Sequence, residues 1–245
     1  MNMQNKKILG IITARGGSKR VPEKNIREFL GKPLLAWSIE VGEESGVFDR
    51  FILTTDREEI AKVGKEHDIE IPFIRPAELA SDTSSSYYAI KHAVEWLKEN
   101  ENYEADWIIL LEPSAPGRQP FHIKEVAELI QKENNNFDSI FSISKTPAHF
   151  SYLKELQKNK NNIITRVNDN EILRNLTHRN QDILESYYIN SAIYAFKVSN
   201  LFDGNNSLCG NSTFGYEMEE KYAIDIDTPE DWIIAKAKMK QLIKK

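Results

Sequence analysis

Short apolar runs alternate with amphipathic stretches along most of the chain. The apolar runs predict buried β-strands at 8–13, 51–54, 70–73, 107–111, 139–144, 191–196 and 222–226. The amphipathic stretches and their flanking residues predict helices at 33–46, 56–67, 84–99, 121–131 and 229–243. In the second of these helices, Asp56 is expected to be the capping residue. Strands that alternate with helices indicate an α/β fold, with a mostly parallel sheet and helices on both of its faces.

The alternation is interrupted by one long segment, 146–186, which is rich in Asn and Lys. We interpret this segment as an insertion, either a surface arm or a small subdomain, within a core formed by 1–145 and 187–245. Its apolar residues, among them Phe150 and Tyr152, need a partner surface. The segment therefore predicts a homodimer built on the insertion.

Composition and charge narrow the class of protein. The chain has 245 residues, 40% of them hydrophobic and 28% charged, which is typical of a globular domain. Its net charge of -5 disfavours a general nucleic-acid binder. The single cysteine, Cys209, cannot form an internal disulfide and favours a reducing compartment. The apolar run 8–12 is too short for a signal peptide, and no run has transmembrane length. We expect a cytoplasmic protein with no membrane or nucleic-acid partner.

A basic, glycine-containing loop follows the first predicted strand. Gly16 and Gly17 allow a sharp turn that presents backbone N–H groups. Four basic residues face a single acidic one, Glu23, within this loop: Arg15, Lys19, Arg20 and Lys24. At the carboxyl end of a strand, this pattern predicts a cradle for a polyphosphate. The loop has neither the Gly-Lys-Ser/Thr order of a Walker A loop nor the Gly-x-Gly-x-x-Gly fingerprint of dinucleotide-binding proteins. The alternative to a polyphosphate site is a basic loop that is only solvated.

A second candidate site is the sequence Ile-Asp-Ile-Asp at 224–227. If this segment is a strand, Asp225 and Asp227 lie on one face and the two isoleucines on the other. Two carboxylates on one face suit a hard cation such as Mg²⁺. The alternative is that Asp227 or Thr228 only caps the closing helix.

Five blocks of the sequence resemble, in the same order, those of the acylneuraminate cytidylyltransferase family, which activates acidic nine-carbon sugars. The blocks are 14–25 (ARGGSKRVPEKN), 75–83 (RPAELASDT), 111–118 (LEPSAPGR), 187–194 (YYINSAIY) and 224–227 (IDID). The resemblance covers nearly the whole chain. It implies a Rossmann-like nucleotidyltransferase fold with a dimerisation arm that overlaps 146–186, and it implies a homodimer.

The resemblance also implies a reaction and the residues that serve it. CTP and an acidic 2-keto sugar would give a CMP-sugar and pyrophosphate, with Mg²⁺ held by Asp225 and Asp227. The nucleotide would contact Arg15, Gly16, Gly17, Ser18, Lys19, Lys24, Asn25, Arg75 and Ser86. The sugar would contact Glu112, Arg118, Arg179, Tyr187, Tyr188 and Asn190. The residues with catalytic roles would be Arg15, Lys19, Lys24, Arg179, Asp225 and Asp227.

Two departures from the family pattern leave the sugar open. Glu112 stands where the family usually has Gln, and Ser191 stands where it has Gly. An ionised Glu only accepts hydrogen bonds, so Glu112 favours a sugar that presents donors to it. Alternatively, Glu112 pairs with Arg118 and does not contact sugar. The sugar could be an N-acylneuraminate, 3-deoxy-manno-octulosonate, legionaminate or pseudaminate. From another class, the chain could be a nucleotide-binding regulator without turnover.

Overall fold

The computed structural model describes residues 5–80, 85–132, 136–167 and 185–244. Within them, the strands are β1 (Ile8–Ala14), β2 (Glu28–Phe29), β3 (Lys32–Pro33), β4 (Arg50–Thr55), β5 (Trp107–Leu110), β6 (Ser139–Lys145), β7 (Leu156–Lys158), β8 (Ile164–Arg166), β9 (Tyr187–Lys197) and β10 (Thr213–Glu217). The α-helices are α1 (Leu34–Ser45), α2 (Glu58–Glu66), α3 (Ser86–Glu101), α4 (Pro120–Gln131) and α5 (Pro229–Ile243).

Six of these strands form the central sheet, in the order β10-β6-β9-β5-β1-β4. Strand β9 runs antiparallel to both of its neighbours, and the other pairs are parallel. The prediction of a mostly parallel α/β sheet is therefore confirmed. The parallel strands β1, β4 and β5 end at one edge of the sheet, so the loops that follow them lie together.

Alternating side chains of the strands bury two apolar layers. In β1, Ile8 and Ile12 pack toward one face, with α1, α2 and α4. Leu9 and Ile11 pack toward the other face, with α3. The period of two along the strand explains this division and confirms helices on both faces. A third cluster, which includes Val21, Ile224, Ile226 and Trp232, joins α5 to the loop after β1.

Two predicted strands are absent from the described residues, and five observed strands were not predicted: β2, β3, β7, β8 and β10. Residues 222–226 have the alternation of a strand, but they form an extended segment outside the sheet. Ile224 and Ile226 are buried in the third cluster, so their alternation reflects packing without a hydrogen-bonded ladder. The edge strand is β10, which pairs with β6. Residues 70–73 also form no strand. Only isolated bridges connect this region to β4, one from Glu70 to Ile52 and one from Ile74 to Thr55.

The helix ends explain where the chain turns. Gly46 ends α1 in a left-handed conformation (φ 62°), as a helix stop should. Thr228 begins α5 with a reciprocal capping box to Asp231. The N-cap of α2 is Arg57, without a side-chain bond, so the prediction that Asp56 caps this helix is wrong. None of the helices in the described ranges is long and apolar enough to cross a membrane.

The described part of the insertion, 146–167 with 185–186, lies outside the six-stranded sheet. It contains two short 3₁₀ turns and the hairpin of β7 and β8. Several of its apolar side chains are exposed, Phe150 most of all at 67%. Exposed apolar side chains are what a segment that packs against a partner would show. The division into core and insertion and the homodimer stay predictions.

Candidate active site

An open cleft of about 510 Å³ lies at the sheet edge where β1, β4 and β5 end. Residues from the loop after β1, the segment before α3 and the turn after β5 form its walls. Predicted site residues that line it are Arg15, Ser18, Lys19, Lys24, Asn25, Arg75, Ser86, Glu112 and Asp227. Other lining residues include Thr13, Arg20, Ser85, Pro113 and Ser114. The structure thus brings together residues from four of the five sequence blocks.

The basic loop is held in shape by two side chains. The Asp56 carboxylate accepts a hydrogen bond from the Gly16 N–H (3.0 Å), and Asn25 donates its amide to the Arg15 carbonyl (3.0 Å). A side chain at Gly16 would collide with Arg57, since a Cβ there would lie 2.3 Å from its Cγ. Glycine is therefore needed at this position for close packing of the loop on the start of α2.

Arg75 presents a buried cation to the cleft. Its side chain is almost fully covered, and its guanidinium lies 3.7 Å from the Asp56 carboxylate. Burial lowers its pKa, and Asp56 opposes that effect. The Nε of Arg75 has no hydrogen-bond partner within the described part of the chain. A buried N–H without an acceptor is unfavourable, and the Arg75 side chain lines the cleft.

Lys24 connects the basic loop to the aspartate segment. Its ammonium donates to the Ile226 carbonyl (2.7 Å) and lies 3.4 Å from an Asp227 carboxylate oxygen. Below this contact, Val21 shares an apolar cluster with Ile224 and Ile226. The same segment is attached to the turn after β5, because the Ile226 N–H donates to the Ser114 carbonyl (3.0 Å).

Asp225 and Asp227 point away from the apolar cluster, as the alternation predicted. Partial burial raises the pKa of Asp225, and the like charge of Asp227 raises it further. Capping does not account for the pair, because the cap of α5 is the Thr228 hydroxyl. The described residues contain no cluster of three or more acidic, His or Cys side chains that could bind a metal. Mg²⁺ is often held by one or two carboxylates and substrate phosphates, which the pair fits.

Glu112 follows β5 and faces the cleft. Desolvation raises its pKa to about 7, and Asp225 acts in the same direction. Lys24, Arg118 and a hydrogen bond from Thr13 oppose the rise. The guanidinium of Arg118 binds the main-chain carbonyl of Glu112 (3.1 Å), and no ion pair between the two side chains occurs in the ranges described. The carboxyl group is therefore placed for contact with a ligand.

Arg118 and Asn190, both predicted to contact sugar, lie beneath the cleft wall. Arg118 is only 1% exposed and donates to the carbonyls of Ala192 and Glu112 and to the Ser38 hydroxyl. Asn190 is 2% exposed and exchanges hydrogen bonds with Ser142 and Ser144. The Nε of Arg118 has no hydrogen-bond partner within the described part of the chain, but neither residue lines the cleft, so both support its wall from behind.

The remaining predicted sugar ligands are not brought to the cleft. Tyr187 and Tyr188 are exposed on the first half of β9 and are absent from the cleft lining. Gly16, Gly17 and Asp225, which were also predicted site residues, are absent from the cleft lining as well. Arg179 lies outside the described residues.

Two functional positions were missed by the sequence reasoning. Asp56 was taken for a helix cap, but it holds the basic loop and neighbours Arg75. Its position just after β4, at the ligand edge of the sheet, is the signal that could have identified it. Ser114 was also missed: it lines the cleft, and its carbonyl accepts a hydrogen bond from the Ile226 N–H (3.0 Å).

Ser191 occupies an irregular part of β9. The pairing of β6 with β9 shifts between Phe141 and Ile143, and Ser191 has a φ of 60°. A non-glycine residue in the left-handed region costs about 1–2 kcal/mol. The resembling family has glycine at this position, which would avoid that cost.

A basic loop opposite a carboxylate pair, at the ligand edge of a mostly parallel sheet, is the arrangement expected of a nucleotidyltransferase. Comparison with known proteins gives the family: the cytidylyltransferase family matches residues 9–245. The chain therefore belongs to the cytidylyltransferase family, which confirms the resemblance found in the sequence.

Relatives and solved structures agree with this assignment. The pseudaminic acid cytidylyltransferase of Campylobacter jejuni subsp. jejuni serotype O:23/36 (strain 81-176) is 32% identical over 231 residues, 94% of this chain and 95% of that protein. N-acylneuraminate cytidylyltransferase A of Danio rerio is 33% identical over 95% of this chain and 50% of that protein. The structure of CMP:2-keto-3-deoxy-manno-octonic acid synthetase complexed with CTP has a similar fold, with a TM-score of 0.71 at 16% identity, and covers 96% of this chain and 99% of that one.

Proposed function

We propose that the enzyme transfers CMP from CTP to the anomeric hydroxyl of an acidic nonulosonate, releasing pyrophosphate. The observation that carries the proposal is the position of Lys24, which lies in the basic loop and contacts the aspartate segment. A triphosphate in the cleft would lie between positive charge on one side and two carboxylates on the other. The names of the relatives, which act on pseudaminic acid and N-acylneuraminate, support this substrate class.

The chain's own residues bind and orient the nucleotide in this proposal. Arg15, Lys19 and Lys24 neutralise the charge that develops on the leaving pyrophosphate. Arg75, which lines the cleft, adds a positive charge that attracts the nucleotide. The anomeric hydroxyl attacks the α-phosphorus, the bond from that phosphorus to the pyrophosphate oxygen breaks, and the proton of the hydroxyl passes to water in the open cleft. No covalent enzyme intermediate is required, so positioning and electrostatics supply most of the rate acceleration.

Asp225 and Asp227 would hold Mg²⁺ in this proposal. The cation, when bound, polarises the phosphate and lowers the pKa of the attacking hydroxyl. Desolvation and then the like charge of Asp227 raise the pKa of Asp225, and a divalent cation would offset both effects.

The experiment is a pyrophosphate-release assay that crosses four nucleoside triphosphates with a panel of acidic sugars. The panel contains N-acetylneuraminate, pseudaminate, legionaminate and 3-deoxy-manno-octulosonate. We expect Mg²⁺-dependent release with CTP and a nonulosonate. Equal release from ATP, GTP and UTP, or release that does not require a sugar, would contradict the proposal.

The Glu112→Gln variant, measured in the same assay, tests whether Glu112 contributes to the choice of sugar. If the Glu112 carboxylate accepts hydrogen bonds from the sugar, Glu112→Gln changes the ratio of kcat/KM values between N-acetylneuraminate and its deacetylated relative. An unchanged ratio would assign Glu112 no role in sugar choice. The predictions of a homodimer, a cytoplasmic location and the absence of a nucleic-acid partner await their own tests.

A further inference from the structure

Asp56 contacts two parts of the cleft wall through one carboxylate oxygen. This residue directly follows β4, and its side chain is 15% exposed. Its Oδ1 accepts a hydrogen bond from the Gly16 N–H (3.0 Å) and lies 3.7 Å from the Arg75 guanidinium. Gly16 belongs to the basic loop after β1, whereas Arg75 belongs to the segment before α3. A single carboxylate therefore connects two parts of the site that are distant in sequence.

The main chain on both sides of Asp56 is held by contacts of its own. The Arg75 N–H donates to the Thr55 carbonyl (2.8 Å), and the Asn25 amide binds the Arg15 carbonyl (3.0 Å). The side chain of Arg75 is different, because within the described ranges Asp56 is the one acidic residue that pairs with its guanidinium. Loss of the Asp56 charge would therefore leave both backbones in place and release the Arg75 side chain.

The charge of Asp56 also opposes the binding of an anion. Burial lowers the pKa of Arg75, Asp56 raises it, and the like charge of Arg15 lowers it. A carboxylate beside these cations reduces the positive potential that a triphosphate would meet in the cleft. If the charge of Asp56 were its only effect, its removal would strengthen nucleotide binding. A role in positioning Arg75 predicts the opposite sign, so an affinity measurement distinguishes the two.

Resting on the proposed function, we infer that Asp56 is a positioning residue that holds the Arg75 guanidinium beside the basic loop, ready for the nucleoside triphosphate. Asp56 itself is not part of the cleft lining, so it acts through Arg75 and the loop. An arginine that is held before the ligand arrives loses less side-chain entropy on binding. Without this contact the ligand must order the arginine, which weakens affinity by about two- to tenfold.

Isothermal titration calorimetry of the full chain with CTP, in the absence of sugar, measures this contribution. Asp56→Asn keeps an acceptor for the Gly16 N–H but removes the charge that faces Arg75. We expect this variant to bind CTP about two- to tenfold more weakly than the wild type. Asp56→Glu, which keeps the charge but displaces the carboxylate by one methylene, should also bind more weakly and gives a second reading if Asp56→Asn folds poorly. Glu58→Gln, which removes an exposed carboxylate two residues further along the chain, is the matched control and should bind as the wild type does.

A double-mutant cycle tests whether Asp56 acts through Arg75. Arg75→Met removes the guanidinium and keeps an apolar side chain of similar length. In this background Asp56→Asn should not weaken CTP binding further, because the group that it positions is gone. The double variant also avoids the unpaired buried charge that either single substitution leaves. In steady-state assays, Asp56→Asn should raise KM for CTP by a larger factor than it lowers kcat, which a general loss of structure would not do.

Three outcomes overturn the inference, and one of them also reaches the proposed function. Wild-type or tighter CTP binding by Asp56→Asn, with weak binding by Arg75→Met, would remove the positioning role and leave the proposed function intact. An equal loss from Asp56→Asn with and without the guanidinium would assign the effect to the loop and overturn the link to Arg75. Arg75→Met that binds CTP as the wild type does would contradict the part of Arg75 in the proposed function, and the inference with it.

Discussion

The carboxyl group of Glu112 should make the stability of the folded protein depend on pH. Its pKa is about 7 in the folded protein, against an ordinary value of 4.5, and the main cause is desolvation in the cleft wall. A carboxyl group with a raised pKa favours the folded state while it is protonated. That contribution is fully present below pH 4.5 and is lost as the pH rises through 7.

The size of the effect follows from the shift. Each pKa unit corresponds to about 1.4 kcal/mol, so the full titration of Glu112 changes the free energy of unfolding by about 3 kcal/mol. Glu112→Gln keeps the size of the side chain but cannot ionise. The variant should therefore gain stability over the wild type by about 2–3 kcal/mol between pH 5 and pH 8.5, because the wild type loses stability over that range.

Urea unfolding of both proteins at several pH values measures this difference directly. Glu99→Gln, which removes an exposed carboxylate from α3, is the matched control and should show a small, nearly constant difference. A Glu112→Gln difference that stays constant to within about 0.5 kcal/mol from pH 5 to pH 8.5 would refute the reasoning. It would mean that the Glu112 carboxylate is as well solvated in the folded protein as in the unfolded chain.

The remaining predictions concern the cleft, one glycine and the insertion. Asp227→Asn should lower kcat by about 10²-fold in saturating Mg²⁺ with an unchanged urea midpoint, because it removes charge from the proposed cation site; a near-normal kcat would contradict the metal assignment. Lys24→Ala should mainly raise KM for CTP in steady-state assays, and an unchanged KM would place the triphosphate elsewhere. Gly117→Ala should lower stability by about 1–3 kcal/mol in urea unfolding, because a Cβ there would lie 2.4 Å from the Tyr222 carbonyl oxygen; wild-type stability would show that the segment adjusts freely. Sedimentation at micromolar concentration should show a dimer that a charged residue at exposed Phe150 weakens, whereas a wild-type monomer would exclude the predicted interface.

Apolar periodicity was enough to predict most of the fold. The buried strands β1, β4 and β5 carry continuous apolar runs, which few other structures accommodate. The same reasoning failed at 222–226, because alternation reports which side chains are buried and does not report backbone pairing. Here the buried partners are Val21 and α5, so the pattern of a strand appears without a neighbouring strand.

The candidate site was predictable where charge and loop position coincide. Arg15, Lys19 and Lys24 lie in a loop that directly follows a buried strand, and all three line the cleft. Arg118 shares a sequence block with cleft residues, yet it is buried behind the wall, and Asn190 is buried in the one block that contributes no cleft residue. A side chain's direction depends on tertiary packing, and sequence alone does not reveal it.

The buried guanidinium of Arg118 has a consequence for how this enzyme can change through evolution. The guanidinium binds the carbonyl of Glu112 and the carbonyl of Ala192, which is next to Ser191. The two residues that depart from the family pattern, Glu112 and Ser191, are therefore both connected to Arg118. Substitutions that share a partner are rarely additive. Glu112 and Ser191 are therefore expected to vary as a pair, with each change altering the background on which the other is selected.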